Sequence, residues 1–498
     1  MPTELETYFS QFKKNIIGND TEFETPFGKQ KMLYADWIAS GRLYKPIEEK
    51  MQKLFGPMIG NTHSEASETG VKMTKSYILA KKIIKQHVNA SDEDIIITSG
   101  AGMTRVVNKL QRILGLKLPD SNTYFKRKTG IDFSKTCDLG DNKPVVFVTH
   151  VEHHSNHFSW VETISDVVLL EPCEDLKVCT NSLEDAIVKY KNRKIKIGAF
   201  SGGSNVTGCI PPVHEYAKIM HKNGGLCFID YAASAPYIDI NMHPDDTEAY
   251  FDAIYFSPHK FLGGPGSAAV LIFNENLYKN KIPDNPGGGT VQWTNRWNEC
   301  SYHNEPEMRE DGGTPAFTQT IRTALSIKLK EKMGVANILK REEELLEIVF
   351  EELRKIDTFH ILAENIRSRI GVVTFYSETV HHNLIVKILN DRYGIQTRGG
   401  CSCAGPYGHY LFNIDKKISK LFTNKIDAGD SSEKPGWVRL SLHPTMTNDE
   451  LYFAINALKE IIDNAEEWKK DYYQDKSGEW FLTDQNFDCD KLNSWFEF

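Results

Sequence analysis

The chain has 498 residues, 40% hydrophobic and 25% charged, with a net charge of −8; that is enough for a large core and more than one domain. The acidic balance, with no long basic run, excludes nucleic acid or an anionic membrane surface as the main partner. No apolar stretch reaches transmembrane length, and the acidic start Met1-Pro2-Thr3-Glu4-Leu5-Glu6 lacks a signal-peptide core, so a cytoplasmic protein without membrane contact is expected.

Residues 1–45 read as an N-terminal segment, helical around Tyr8–Lys14, with a short strand and turn over Met32–Arg42. From Pro46 to His87 apolar residues recur at spacings of three and four, which predicts helices on either side of the polar loop Gly60–Ser64. His63 in that loop reads as a surface residue. Asp94–Thr98 is an apolar strand; the small residues Ser99–Gly102 turn it into a helix that opens at Met103 and Thr104. The unpaired first amides of such a helix, and its dipole, make an anion site. No Gly-Lys-Ser/Thr follows, so it is not a Walker loop. Val145–Val148 is a buried strand ending at Thr149-His150-Val151-Glu152-His153-His154-Ser155-Asn156. No further ligands stand at zinc spacing, and no metal site is assigned. The strand Lys196–Phe200 leads into Ser201–Gly208, and a helix over His214–Asn223 precedes the strand Leu226–Asp230. An aspartate at the C-terminal end of a strand in an open parallel sheet faces the ligand crevice; a helix N-cap is the other use open to it.

The strand from Asp252 runs into Ser257-Pro258-His259-Lys260 and then Gly263-Gly264-Pro265-Gly266. Burial lowers a lysine's pKa and frees its amine as a nucleophile, and the glycines let a backbone or flat ring approach closely. Asp284–Thr290 is a glycine-rich loop, and a long helix follows Thr314-Pro315. Past Gly334 the pattern changes to a small α+β unit, with strands over Ile370–Phe375 and Val438–Leu442 and a helix over Asn448–Ala465. It holds Arg398-Gly399-Gly400-Cys401-Ser402-Cys403, then an expected long loop from Cys403 to Gly436 that suits a lid or docking surface. A loop cysteine near cations makes a good nucleophile; Cys401 could serve as a resolving thiol. The nine cysteines, dispersed and odd in number, fit reduced thiols better than a disulfide framework. The aromatic, acidic tail Tyr472–Phe498 has no assigned role.

Taken in order, these motifs resemble the class V aminotransferase superfamily, and within it the cysteine desulfurases and selenocysteine lyases. The resemblance implies a type I fold of pyridoxal phosphate enzymes: a large α/β domain (46–332) with a mostly parallel, seven-stranded-type sheet. It further implies a small α+β domain (333–498) joined by the N-terminal segment (1–45). It also implies roles. Lys260 is the Schiff-base lysine, His153 lies over the coenzyme ring and is catalytic, able to shuttle protons at the substrate carbon, and Asp230 partners the ring nitrogen. Asn205 contacts the ring hydroxyl and the substrate. Gly102, Met103, Thr104, Ser257 and His259 surround the phosphate, and Thr290 reaches the phosphate of a neighbouring subunit, which implies a homodimer. Arg439 grips the substrate carboxylate, with Arg398 beside it, and Cys403 takes the sulfur.

The implied activity is removal of sulfur from cysteine as a persulfide on Cys403, with release of alanine and a possible acceptor protein for the sulfur. The chain departs from the best-known desulfurases at Ala233, where they carry a glutamine. That departure keeps other chemistries of the class open: selenocysteine lyase, cysteine lyase, aminotransferase or epimerase. A coenzyme-free scaffold with a relict site is a third reading.

Overall fold

A computed structural model describes residues 2–118, 120, 123–130, 139–483 and 492–497. Seven strands form the central sheet: β1 (Asp94–Thr98), β2 (Val145–Thr149), β3 (Asp166–Leu170), β4 (Lys196–Ser201), β5 (Leu226–Asp230), β6 (Ala253–Phe256) and β7 (Val270–Asn274). Their order is β1-β7-β6-β5-β4-β2-β3. Only β7 runs against its neighbours; β3, β2, β4, β5 and β6 pair in parallel. Continuous apolar runs such as Val145–Val148 are what a sheet covered on both faces requires, and those four residues are wholly buried. Two apolar layers flank the sheet. One includes Phe147, Phe200, Ile229 and Ile254; the other includes Val146, Val148, Phe228 and Tyr255. The fold is α/β, as the family resemblance implies.

A second, four-stranded sheet consists of β8 (Phe359–Ile361), β9 (Val372–Ser377), β10 (Arg398–Gly400) and β11 (Trp437–Ser441), in the order β8-β9-β11-β10 and antiparallel throughout. The N-terminal stretch is sewn onto it. Leu33–Tyr34 pairs in parallel with Ile395–Gln396, and Asp36 bridges Ser441.

Two expectations need correction. Cys403–Gly436 is not one loop, since it holds helices at Gly405–Leu411 and Lys416–Asp427. Pro406 sits in the first turn of the first, and the Asp415 carboxylate caps the second by accepting the Ile418 amide. The cysteines are not all reduced: Cys173 and Cys179 are disulfide-bonded. Asp175 and Leu176 adopt positive φ and fold the chain back, so the Cys173 amide reaches the Lys177 carbonyl. Cys137 and Cys489 lie outside the described residues, as do 484–491 of the tail. Tyr472–Gln474 and Trp480–Leu482 form a hairpin whose Tyr472, Trp480 and Leu482 join the core of the small sheet.

Candidate active site

The parallel strands end on one edge, and the chemistry-bearing residues leave from there. β1 leads through Gly102 into the helix α1 (Met103–Ile113), and β2 leads to His153 at the start of the helix α2 (His154–Val161). β4 leads to Asn205, β5 ends on Asp230, and β6 is followed by Ser257 and the turn carrying His259 and Lys260. Their side chains meet strands β10 and β11 across a cavity of about 250 Å³. Gly102, Met103, Thr104, His153, Asn205, Asp230, Ser257, His259, Lys260, Arg398, Cys403 and Arg439 all line it. Thr290 does not: it is buried elsewhere, its hydroxyl donating to the Gly287 carbonyl.

Burial brings Lys260 down to about 8; Asp230 and Asp36 oppose that fall, and Arg439 and Arg398 add to it. The Asp230 carboxyl is pushed up to about 6 by burial, against the Ala232 amide, which donates to its Oδ1 at 2.8 Å, and the charge of Lys260. His153 is lowered to about 4, by burial first and then by Lys260. Its Nδ1 accepts the Ser155 amide at 3.1 Å, so near neutrality the ring carries its proton on Nε2. Burial, then Lys260, also lowers His259 to about 4. Glu152, behind His153, is raised to about 7 by burial, and its oxygens take Thr149 Oγ1, the Thr149 and Ser201 amides and Asn156 Nδ2. Ser201, Asn156 and the floor of the cavity are thereby fixed to one carboxyl group.

The cysteine loop is pinned to this floor. Asn205 Nδ2 donates to the Ser402 carbonyl at 2.8 Å, and the His154 amide to the Cys403 carbonyl at 2.9 Å. His154 Nε2 accepts the Gly405 amide, and the Trp437 indole donates to Ser402 Oγ. Ser402 and Cys403 both take positive φ, a costly conformation that persists only where neighbours enforce it. The Cys403 side chain is exposed at the cavity.

Opposite lies an ion cluster whose carboxylate, Asp36, sequence reading missed. Asp36 accepts Arg439 Nη2 at 2.6 Å on one oxygen and Arg398 Nε at 3.0 Å on the other. Arg439 Nη1 also donates to the Asn205 carbonyl. His154 and Asp36 carried no signal of their own, because each acts on a partner hundreds of residues away.

The model of the aminotransferase class-V family matches residues 33–117 and 136–452. The chain belongs to the class-V aminotransferase family. Similar curated proteins include a probable cysteine desulfurase of Halalkalibacterium halodurans, 28% identical over 404 residues (78% of this chain, 91% of that protein). Another, from Pyrococcus abyssi, is 27% identical and covers 90% of this chain and 98% of its own length. Among solved structures, a cysteine desulfurase of Thermococcus onnurineus NA1 superposes with a TM-score of 0.71 at 22% identity, covering 91% of this chain and 98% of its own. The cysteine desulfurase CsdA of Escherichia coli gives 0.65 at 20%, covering 86% and 94%. These last two bear on the fold. The family's coenzyme is pyridoxal phosphate, and the cavity suits it. The N-terminus of α1 opens at Gly102, where an added side-chain carbon would meet nothing within 4 Å. A buried carboxylate waits opposite a lysine, and Asn205 Oδ1 is buried without a partner. An anionic phosphate and a protonated aromatic ring would answer these needs.

Proposed function

We propose that this class-V family member is a cysteine desulfurase. The observation that carries the reading is the meeting, in one cavity, of Lys260, Asp230 and His153 with Cys403 and the two arginines. Bound pyridoxal phosphate supplies an electron sink for negative charge at the substrate's α-carbon. Lys260 holds the coenzyme covalently through its ε-amine. The Lys260 amine, brought near 8, would also be suited to carry the substrate's α-proton. Asp230 would hold the ring nitrogen protonated by its charge, and neutral His153 would face the ring. Gly102, Met103, Thr104, Ser257 and His259 hold the phosphate, and Asn205 the ring hydroxyl. Arg439 receives the α-carboxylate. The Cys403 thiolate attacks the substrate sulfur: an S–S bond forms as the Cβ–S bond breaks, and the electron pair stays with carbon, which is protonated and leaves as alanine.

The reading extends to a cytoplasmic homodimer whose small domain (1–45 with 333–498) closes on the coenzyme domain (46–332). No helix among the described residues is long and apolar enough to cross a membrane. Five described cysteines are free thiols. Thr290 would complete the partner's phosphate site; the adjoining Gly289 borders a separate cavity of about 960 Å³, with room for an incoming chain. An acceptor protein would take the sulfur from exposed Cys403.

Cys403→Ala is expected to keep the yellow bound coenzyme and to form no persulfide with cysteine. Alanine and sulfide released at the unmodified rate would overturn the reading. Ala233 at the cavity wall favours, as a second reading, another substrate of the same class, such as selenocysteine. Profiling products across amino acids separates the two.

A further inference from the structure

Arg398 and Arg439 stand directly opposite each other on the antiparallel strands β10 and β11. Two like charges in that register repel, and Arg439 is only 3% exposed. Asp36 is the group that both guanidinium ions bind, one on each carboxylate oxygen. Its backbone is held independently of that pair. The Ala35 amide donates to Gln396, the Ser441 amide to Ala35, and the Ile38 amide to Ser441 Oγ. The carboxylate is therefore delivered by the N-terminal segment to a fixed point between the two strands. Counting charges, two cations and one anion leave a net charge of +1 on the cavity wall. Arg439, the buried member, is also held by the Asn205 carbonyl. Arg398, half exposed, also has Asp36 as its ion-pair partner.

We propose that Asp36 determines substrate specificity: it neutralises one of the two guanidinium charges and leaves one net positive charge on the arginine pair, so the cavity accepts amino acids with one carboxylate and rejects those whose side chain is also anionic. This rests on the placing of a substrate carboxylate at Arg439 under Proposed function. A second carboxylate on the substrate would find no net positive charge left on the pair once the first is bound, and would be desolvated without a partner. The charge on Asp36 also helps to hold up the Lys260 amine, and Tyr34 and Tyr237 feel the same charge.

The test compares alanine and aspartate as ligands of the coenzyme-loaded protein, with dissociation constants read from the change in visible absorption. In Asp36→Asn, aspartate should gain on alanine by roughly tenfold or more relative to the unmodified protein, the scale of one charged hydrogen bond. Asp36→Glu should restore the original preference. In the same Asn variant the pH midpoint of the visible absorption should move down, because a negative charge beside Lys260 is lost. A ratio unchanged in Asp36→Asn, or equal weakening of both ligands, would overturn the proposal and leave Asp36 as scaffold. Should the Asn variant not fold, Arg398→Gln serves: it reduces the net charge to zero, and alanine should bind roughly tenfold more weakly. Unchanged alanine affinity there would equally overturn it. Alanine and aspartate report on this wall whether or not cysteine is desulfurated, so failure of the activity and failure of the specificity are told apart.

Discussion

Lys260 owes its chemistry to burial, which outweighs the pull of Asp230 and Asp36 and leaves a substantial neutral fraction near pH 8. Asp230 is held in the reverse tension, a carboxylate whose charge has one backbone amide for a partner. Replacing Asp230 by asparagine keeps the shape and removes the charge. Alanine production should fall by about 100-fold; a rate within twofold of the original would remove Asp230 from the chemistry. These two residues were legible in the sequence because each sits at the end of an apolar strand, where an open parallel sheet presents its ligands. Asp36 was not. It follows a strand of two residues and finds Arg439 at a separation of 403 positions. His154 likewise grips a loop 251 positions away.

At the scale of elements, the strands of the central sheet read cleanly because burial on both faces leaves unbroken apolar runs. The segment after Cys403 misled because Lys416–Asp427 has no buried residue, so its helical spacing had no core to mark it. Its helical state rests on local signals, chiefly the Asp415 cap. The helix Asn448–Trp468 shows the opposite case, with Leu451, Ile455, Leu458 and Ile461 in the core. Its start is a capping box: Thr447 Oγ1 accepts the Glu450 amide and Glu450 returns a bond to the Thr447 amide. Thr447→Ala should cost about 1 kcal/mol of stability, read as a lower urea midpoint with an unchanged slope. No change in the midpoint would mean that the cap is not needed there.

At the scale of the molecule, buried groups titrate away from their ordinary values, which couples folding to pH. His443 is fully buried against Trp37, ring centroids 3.9 Å apart, and burial lowers it to about 3. An unfolded histidine takes up a proton near 6.5, whereas the folded one cannot. Stability from this group is therefore full above about 6.5 and is lost as pH falls toward 3. Burial raises Glu152 to about 7 and Glu342 to about 8. They act in the other direction: their contribution is present below the ordinary carboxylate range and is lost as pH rises through those values. Substituting glutamine for His443 should flatten the acid arm of a plot of denaturation midpoint against pH. An arm unchanged between pH 6.5 and 4 would show that His443 does not set it.

The proposed function turns on a coenzyme joined to one amine. Reduction of the loaded protein with borohydride, followed by peptide mass spectrometry, tests that join directly. The account predicts a reduced pyridoxyl phosphate adduct on Lys260. An adduct on another lysine, or none, would contradict it.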